Sequence, residues 1–373
     1  MSRDAEAAAG MAGAYALDNK ADFYNFAGGN NTDKSQRKMS ELRHRPMVSV
    51  VMIAYNNERY VADAICGVVG QRGDFDLQLI ICDDCSTDAT PQIIAGWKER
   101  FPDEIEFHRN PRNLGVQCNY LEAFGYVRGD YMAMCDADDY WTDPRKIARQ
   151  LEYMEKHPEC AVTFHKVVNY YEGSGVKSFS NGGQRPEATL ADISRSNFIT
   201  NMSVLYRRRL VDLDNLPVWL KEVRLVDYPM HMLYAAHGTI HYFNRAMGVY
   251  RQTESAIWSM TKMTRRREMS LVVRLHLIEY FAGNAVAVEG LRASSRAILT
   301  SMVADDPDDA ELKERLPRYA SAIDPELTAE MVLEDAGRMA SGRKKQPVFR
   351  RIMRGARIAL SRLVPVPKPA RPH

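Results

Sequence analysis

Short apolar runs alternate with helical repeats along the N-terminal part of the chain. Four runs have the continuously apolar, often β-branched character of buried strands, at residues 48–54, 77–82, 105–108 and 131–135. Apolar positions at helical spacing follow them and predict helices within residues 60–69, 90–97, 113–127 and 146–157. This alternation predicts an α/β fold, in which a single Rossmann-like domain has a mostly parallel central sheet covered by helices on both faces.

The rest of the chain follows a different pattern. Residues 161–251 mix short strands and helices, and the pattern farther on predicts four helices, at 270–281, 286–302, 308–316 and 325–339. We therefore expect four regions along the chain. They are a weakly ordered leader over residues 1–45, a nucleotide-binding domain over 46–260, a C-terminal helical accessory region over 261–340 and a basic amphipathic tail over 341–373.

Polar clusters follow three of the four predicted strands. They are Tyr55–Glu58, Asp83–Asp88 and Asp136–Asp139. The carboxyl ends of parallel strands meet at one edge of a sheet, and the ligands of such sheets bind at that edge. The three clusters therefore predict a single binding site.

The third cluster carries three carboxylates, Asp136, Asp138 and Asp139, within four positions. Crowded carboxylates repel one another, and Mg²⁺ or Mn²⁺ is the kind of ion that suits oxygen ligands. An ion held by one or two of them keeps coordination positions free for phosphate oxygens. The pattern predicts a metal–diphosphate site; the alternative is an acidic loop that caps the helix starting near Asp143.

Composition narrows the class of protein. The net charge is only +2 over 373 residues, so the molecule as a whole is not built to bind polyanions. No apolar run is long enough to span a bilayer, and the N-terminus lacks the basic and apolar regions of a secretory signal. Six scattered cysteines fit free thiols in a reducing compartment. These features predict a cytoplasmic protein.

Over residues 46–258 the chain resembles the family 2 glycosyltransferases of the GT-A fold. The segments that carry the resemblance are Ala54–Glu58, Asp83–Thr90, Asn113–Gly115 with Asn119, Gly129–Tyr131 and Asp136–Trp141. The most similar members build lipopolysaccharide, capsule and other bacterial surface polysaccharides. The resemblance implies an inverting, hexosyltransferase-type enzyme that moves a sugar from a UDP-sugar to a hydroxyl of a glycan or lipid-linked acceptor.

The resemblance also implies which residues bind the nucleoside. Tyr55 is expected to form a wall for the base, with packing beside the sheet as the alternative. Asp84 or Asp83 is expected to accept the uracil imide N–H. Asn57 and Glu58 lie near the nucleotide, although Glu58 is equally well explained as an acid in the first turn of a helix.

A second group of residues is expected at the ribose, the diphosphate and the metal. Asp136 holds the ribose or supports the metal shell, and Asp138 is the main metal ligand. Asp139 ligates the ion directly, does so through water, or orients the loop. Arg251 belongs to a segment that resembles the family's Tyr-Arg-x-His motif near the diphosphate. Thr253 stands at the histidine position, so the chain departs from the motif there.

Inverting transfer also needs a base that takes the proton of the acceptor hydroxyl. The resemblance places this base at Asp227, at the start of a predicted helix, with an N-cap role as the alternative. Val226 stands where many relatives have glutamate. Ser203 and His231 are candidate acceptor-binding residues, and core packing is the alternative for both.

The C-terminal tail is basic and amphipathic. Residues 343–371 contain no acidic residue, and their apolar and arginine positions largely take different sides of a helix. This predicts an interfacial helix on an anionic membrane, so that the protein is peripheral to the inner face of the plasma membrane. A helix packed on the domain is the alternative. Nucleic-acid binding is not expected, because aromatic residues do not interleave with the arginines.

Two other functions compete with the transferase. A non-catalytic nucleotide-sugar-binding or scaffold protein on the same fold is supported by Thr253 and Val226 and opposed by the intact acidic cluster. A nucleotidyltransferase is expected to carry a glycine-rich, basic loop after the first strand. Tyr55–Glu58 contains no glycine, which argues against that class.

Overall fold

A computed structural model describes residues 45–253, 262–343 and 366–372. The leader predicted over residues 1–45 lies outside these ranges except for Arg45, and so does most of the tail predicted over 341–373. In the part of the chain that is described, no helix has both the length and the apolar character needed to cross a bilayer.

A ten-stranded mixed sheet forms the centre of the molecule. Its strands are β1 Met47–Ala54, β2 Asp76–Asp83, β3 Ile105–Arg109, β4 Tyr131–Met134, β5 Tyr140–Trp141, β6 Cys160–Tyr171, β7 Val176–Phe179, β8 Glu187–Ala188, β9 Leu205–Arg207 and β10 Thr239–Gln252. Their order is β3-β2-β1-β4-β9-β6-β10-β5, with β7 beside β6 and β8 beside β10. The first four strands of that order are parallel, and β9 is antiparallel to both of its neighbours.

Helices follow the strands and then continue as a C-terminal helical region. They are α1 Val61–Val69, α2 Thr90–Arg100, α3 Val116–Phe124, α4 Lys146–Lys156, α5 Leu190–Arg195, α6 Asp227–Ala235, α7 Met263–Tyr280, α8 Ala285–Asp305, α9 Ala310–Ile323 and α10 Ala329–Arg343. The predicted α/β fold, with parallel β1 to β4 and helices between them, is confirmed.

The central strand β1 is buried on both faces. Val50 and Met52 point into one apolar cluster, and Val51 between them points into another. Successive side chains of a strand face opposite ways, so a continuously apolar strand is stable only where both faces are covered. This is why the β1 sequence is an unbroken apolar run instead of an alternating one.

The C-terminal helical region packs directly on the sheet domain. Val273 and Leu277 of α7 belong to the same buried cluster as Phe164 of β6. The Ser294 hydroxyl of α8 donates a hydrogen bond of 3.0 Å to the carbonyl oxygen of Ser194 in α5. The helical region and the domain therefore share part of one core.

Several predicted helix bounds are wrong, and three of them have a clear physical reason. The helix predicted from residue 113 begins at Val116, because Gly115 adopts a φ of 85° that ends the preceding loop. The helix predicted from 270 already begins at Met263, where buried Glu268 pairs with Arg265 of the same helix. The helix predicted to end at 316 continues past Pro317 to Ile323, whose burial outweighs the backbone hydrogen bond that proline removes.

Candidate active site

The acidic cluster forms a tight turn at the carboxyl end of β4. The ladder to β1 continues past the strand, because the N–H groups of Cys135 and Ala137 donate to β1 carbonyls at 3.0 and 3.1 Å. The Asp139 N–H then donates to the Asp136 carbonyl at 3.0 Å, which closes the turn. We call residues 136–139 the acidic loop. Its backbone is thus held by the sheet itself.

Asp136 is enclosed by two side chains from distant parts of the chain. Its Oδ1 accepts a short hydrogen bond from the Tyr120 hydroxyl of α3, and its Oδ2 accepts one of 3.2 Å from the Asn201 amide. The Asn201 amide also donates to the Tyr120 hydroxyl oxygen at 2.7 Å. Desolvation, followed by the charge of Asp138, raises the pKa of Asp136 to about 7.

Asp138 and Asp139 differ in their surroundings. Asp138 is partly exposed, and desolvation raises its pKa. Asp139 is almost fully buried, and its Oδ1 accepts the Arg251 backbone N–H at 2.8 Å. Within the described residues its Oδ2 has no hydrogen-bond partner. Desolvation, and then the charges of Asp138 and Asp136, raise the pKa of Asp139 well above its ordinary value.

Arg251 of β10 holds the acidic loop in place. Besides the backbone bond to Asp139, its Nη1 donates to the Asp138 carbonyl at 3.2 Å, and its Nη2 pairs with Asp63 of α1. Its guanidinium lies 4.3 Å from the centre of the Tyr140 ring. Arg251 is mostly buried. Arg251 therefore links the acidic loop to α1 through hydrogen bonds and an ion pair. Its predicted contact with a donor diphosphate stays a prediction.

Asp227 is the first residue of α6, and it lies near Asp136. The charge of Asp227 is one of the causes that raise the pKa of Asp136, and it also acts on the Tyr120 and Tyr250 hydroxyls. Burial raises the pKa of Asp227, while the Tyr228 N–H and the Asn197 side chain donate hydrogen bonds that favour its ionised form. The structure thus brings the predicted base to the acidic loop.

Hydrogen bonds lock together the loops that follow β1 and β2. Asn56 has a φ of 53°, an uncommon backbone state. Its N–H donates to the Ser86 hydroxyl at 2.9 Å, and its Oδ1 accepts the Thr87 N–H at 2.9 Å. Tyr55 is left 43% exposed beside this lock. An exposed aromatic ring on a fixed backbone is suited to stack on a base, which remains its predicted role.

Asp84 is buried and ties down the loop before α3. Its Oδ1 accepts hydrogen bonds from the Asn110 amide and the Leu114 N–H, and its Oδ2 accepts the Gly115 N–H, at 2.8 to 2.9 Å. A carboxylate offers about four acceptor positions, and the described residues fill three of those of Asp84. Asp83 is fully buried, and Ser86 and Arg109 occupy its oxygens. Of the two acids that the sequence leaves open, Asp84 keeps the freer carboxylate.

Other predicted site residues have contacts within the protein. Glu58 accepts the Ala89 N–H at 2.9 Å at the start of α2, and Asn57 accepts the Tyr55 N–H at 2.8 Å. Ser203 is fully buried and donates to the Thr200 carbonyl at 2.6 Å. His231 is fully buried, lies 2.5 Å from the Tyr206 hydroxyl, and has its pKa lowered to about 3 by burial. Ligand contacts by these residues stay untested predictions.

The oxygen atoms of the acidic loop fit a divalent cation that shares its ligands with a substrate. In residues 45–253, 262–343 and 366–372, no group of three or more histidine, cysteine, aspartate or glutamate side chains is arranged to hold a metal by itself. Asp138 and the unpaired Oδ2 of Asp139 offer hard oxygen ligands. Mg²⁺ is typically held by one or two carboxylates plus substrate phosphates. The loop fits that arrangement and does not fit a self-sufficient metal cage.

Sequence reasoning missed the residues that surround the acids. Tyr120 and Asn201 lie 16 and 65 positions from Asp136. Asn197 precedes the 3₁₀ turn that carries Asn201, and Arg274 of α7 lies 4.4 Å from the Tyr228 ring, next to Asp227. None of these belongs to a motif with the acid it serves, so no local pattern marks them.

Comparisons with known proteins bear on the family and on the fold of the chain. The sequence profile described as glycosyl transferase family 2 matches residues 49–213. An uncharacterized protein of Mycobacterium tuberculosis is 37% identical over 221 residues, which are 59% of this chain and 63% of that protein. The Bacillus subtilis protein TuaG, named provisionally as a teichuronic acid biosynthesis glycosyltransferase, is 33% identical over 32% of this chain and 46% of its own. The chain thus spans less than two thirds of these relatives.

Solved structures share the fold at low sequence identity. The crystal structure of Staphylococcus aureus TarS residues 1–349 in complex with UDP-GlcNAc matches 81% of this chain and 93% of that chain. Its TM-score is 0.59 at 17% identity, so this likeness bears on the fold alone. Residues 49–213 thus match glycosyl transferase family 2, and the fold of the chain is that of GT-A glycosyltransferase structures.

Proposed function

We propose that this protein is an inverting, metal-assisted glycosyltransferase that moves a sugar from a UDP-sugar to a hydroxyl of a glycan or lipid-linked acceptor. The observation that carries the proposal is the proximity of Asp227 to Asp136, where the charge of one acid raises the pKa of the other. A candidate base for the acceptor therefore lies beside the loop proposed to hold the donor diphosphate.

The donor is proposed to lie along the carboxyl edge of β1, β2 and β4. The exposed ring of Tyr55 would take the base, and the remaining acceptor position of Asp84 would take its imide N–H. The diphosphate would then reach the acidic loop, where Asp138 and Asp139 offer oxygen ligands to Mg²⁺ or Mn²⁺. UDP is favoured as a probe because TarS, which has this fold, was crystallised with UDP-GlcNAc.

The proposed chemistry is a single displacement. Ionised Asp227 takes the proton of the acceptor hydroxyl, whose oxygen forms a bond to the anomeric carbon of the sugar. The bond from that carbon to the diphosphate breaks, and its electron pair leaves with the UDP. A bound divalent cation supplies neutralisation of the charge that develops on the diphosphate. Attack from the side opposite the leaving group inverts the configuration at the anomeric carbon.

The acceptor is proposed to be a bacterial surface glycan or its lipid-linked precursor. TuaG, which shares the matched region, is named for teichuronic acid biosynthesis. The basic tail, most of which lies outside the described residues, would bring the protein to an anionic membrane where lipid-linked acceptors are found. This makes the proposed protein peripheral to the inner face of the plasma membrane.

The proposal is tested by release of UDP from a panel of UDP-sugars in the presence of Mn²⁺. We expect Asp227→Asn to lower the rate by about two to four powers of ten, because a general base contributes that much, and to leave UDP affinity unchanged. Asp309→Asn is the matched control, since Asp309 caps α9 by accepting the Leu312 N–H at 3.0 Å. It should keep turnover and nearly all of its stability, because asparagine caps a helix about as well as aspartate does.

Two results would contradict the proposal. UDP binding without any UDP release by the wild type would favour the non-catalytic nucleotide-sugar-binding protein. Near-normal turnover in Asp227→Asn, with an unchanged melting temperature, would mean that the base lies elsewhere. The structure puts Val226 at the N-cap of α6, so an early-melting Asp227→Asn that keeps its rate per folded molecule would instead show that Asp227 stabilises the first turn of the helix.

A further inference from the structure

The C-terminal residues 366–372 lie along the outer side of β5, and we call them the C-terminal strap. The Ala370 N–H donates a hydrogen bond of 2.8 Å to the Trp141 carbonyl oxygen. The Tyr140 hydroxyl donates one of 2.7 Å to the Pro367 carbonyl oxygen. Both residues of β5 are thus bonded to the strap, although the two segments are more than two hundred positions apart in the sequence.

The opposite side of the strap contacts the end of α1. The Cys66 thiol lies 3.4 Å from the Ala370 carbonyl oxygen. At Gly70, a Cβ atom would lie 2.7 Å from that same oxygen and 2.9 Å from the carbonyl carbon of Arg371. Only a residue without a side chain permits so close an approach. Ala370 and Cys66 are both nearly fully buried, and Cys66 also belongs to the apolar cluster that contains Val50 and Met52.

The strap sequence suits such a docked segment. Residues 367, 369 and 372 are prolines, which restrict the backbone and carry no N–H. A proline-rich segment loses less conformational entropy when it is ordered, and it leaves few backbone donors without partners. Ala370, which lies between Pro369 and Arg371, supplies the N–H that pairs with β5.

The strand that the strap holds is the continuation of the acidic loop. Tyr140 follows Asp139 directly, and its ring lies 4.3 Å from the Arg251 guanidinium. Arg251 in turn donates to the Asp139 carboxylate and to the Asp138 carbonyl. A short chain of contacts therefore leads from the strap through Tyr140 to both candidate metal ligands.

β5 is a short strand that directly follows the acidic loop. It has two residues and pairs with β10 through Gly248 and Val249 on one side. The neighbouring carboxylates of the acidic loop repel one another and favour a wider loop. The strap supplies hydrogen bonds on the other side of β5, where the strand would otherwise end the sheet.

We propose that the C-terminal strap is a positioning element for the donor site, which holds β5 and Arg251 so that Asp138 and Asp139 stay oriented toward a nucleoside diphosphate. This inference rests on the proposed function for its consequence. The docking of the strap itself rests on the contacts above and is measured separately. The strap is proposed to act through β5, to which it is hydrogen-bonded.

The test compares the full chain with a variant that ends at residue 365. The first readout is alkylation of Cys66 by iodoacetamide, mapped by mass spectrometry, because the strap covers this thiol. Cys118, which is partly exposed, is the internal control. We expect Cys66 to react faster in the shortened chain than in the full chain, each measured relative to Cys118, and to be protected again when a peptide of residues 366–373 is added.

The second readout is UDP affinity with Mn²⁺. We expect the shortened chain to bind UDP about tenfold more weakly, because the free energy of roughly one hydrogen bond corresponds to such a change in affinity. Adding the peptide should restore the affinity. Tyr140→Phe, which keeps the ring on Arg251 and loses the bond to Pro367, should weaken UDP binding in the same direction. Lys368→Ala, at an exposed strap position, is the control and should bind as the wild type does.

Specific results would overturn the inference. A reactive Cys66 with unchanged UDP affinity would show that the strap is a cover without a positioning role. Equal Cys66 reactivity in the full and shortened chains, together with equal UDP affinity, would overturn the inference. If the shortened chain fails to fold, the Tyr140→Phe and Lys368→Ala pair decides by the same two readouts. Absence of UDP binding by the full chain would refute the proposed function, while Cys66 protection would still report docking.

Discussion

At the scale of single residues, the site is a concentration of acids whose charges oppose one another. The pKa values of Asp136, Asp138, Asp139 and Asp227 are all raised, in each case first by desolvation. Such a group of acids is stabilised by a ligand that carries positive charge or by a proton. A proton acceptor and a cation site at one place are what the proposed transfer requires.

The pH dependence of the reaction is predicted from Asp227. Burial raises its pKa above the ordinary 3.8, and only the ionised carboxylate can accept a proton, so the rate should fall as the pH falls through this raised pKa. The Asn197 hydrogen bond favours the ionised form. We therefore expect Asn197→Ala to move the acid limb of the kcat/KM profile upward, by up to about one pH unit.

The matched control for Asn197 is Asn215→Ala. Asn215 makes the same kind of bond, 2.7 Å from its amide to the Asp212 carboxylate, at an exposed position in another part of the fold. Its removal should leave the profile unchanged. An acid limb that stays in place in Asn197→Ala would separate this side chain from the ionisation of the base.

The acids of the site could be predicted from the sequence because three of them share one loop. Asp136, Asp138 and Asp139 form a contiguous motif at a strand end. Tyr120 and Asn201, which enclose Asp136, could not be found in this way. Tyr120 occupies an apolar position of a helical repeat, and its hydroxyl acquires a role only when the fold brings Asp136 to it.

At the scale of secondary structure elements, the local sequence pattern was sufficient to predict strands β1 to β4 but did not predict the long strand β10. β10 is 14 residues long, yet its pairing with β6 shifts register at three places. Each bulge disrupts the two-residue alternation by which a strand is recognised. β10 also carries Arg251, which donates a hydrogen bond to Asp139 of the acidic loop. The strand with the irregular register therefore positions the residue that holds this loop.

Lys146 gives helix α4 an unusual start. It is the first residue of the helix, where the helix dipole disfavours a cation, and it is fully buried. Its Nζ donates to the Val204 carbonyl at 3.2 Å and lies 3.8 Å from the Trp141 ring centre. Burial lowers the pKa of Lys146 to about 7. The buried amine is therefore a weak point of the fold near neutral pH.

Lys146 predicts a stability that rises with pH. Its pKa is about 7 in the folded state and about 10.5 in the unfolded state, so between these values the unfolded chain binds more protons. The free energy of unfolding should then increase from pH 7 to pH 10, by an amount on the order of a few kcal/mol from this residue. In Lys146→Met this contribution should vanish, as urea unfolding at several pH values would show.

The control for this effect is Lys156→Met in the same helix. Lys156 is exposed and pairs with Glu152 at 2.8 Å. It should leave the pH slope of the unfolding free energy as it is in the wild type. Equal slopes in wild type and Lys146→Met would mean that the Lys146 amine keeps an ordinary pKa in the folded protein.

At the scale of the whole molecule, long-range packing joins parts that the sequence presents as separate. The helical region shares a core with the sheet domain, and Arg274 of α7 lies 4.4 Å from the ring of Tyr228, beside the predicted base. Residues 366–372 dock on β5. Neither contact can be predicted from a local sequence pattern, because each joins two segments that lie far apart in the sequence. The domain boundary predicted between residues 260 and 261 stays a prediction.

The basic tail predicts binding to anionic membranes. Each arginine near an anionic surface contributes roughly 1 kcal/mol, and the contribution is screened by salt. Replacing the tail arginines by glutamine should therefore release the protein from phosphatidylserine vesicles at low salt and leave UDP release unchanged; the positions are Arg350, Arg351, Arg354, Arg357 and Arg362. Sedimentation with vesicles measures this, with uncharged vesicles as the control. Binding that is insensitive to salt or to these substitutions would argue against an electrostatic role.

The central claim is that the carboxyl edge of the sheet binds a nucleoside diphosphate together with a divalent cation at Asp138. Titration calorimetry of UDP in Mn²⁺ and in EDTA tests it most directly, with Asp138→Asn and the exposed control Asp103→Asn. We predict that the wild type and Asp103→Asn bind UDP more tightly in Mn²⁺ than in EDTA, and that Asp138→Asn loses this difference. Equal affinity in Mn²⁺ and EDTA would contradict the metal site, and absence of UDP binding in both would contradict the donor site.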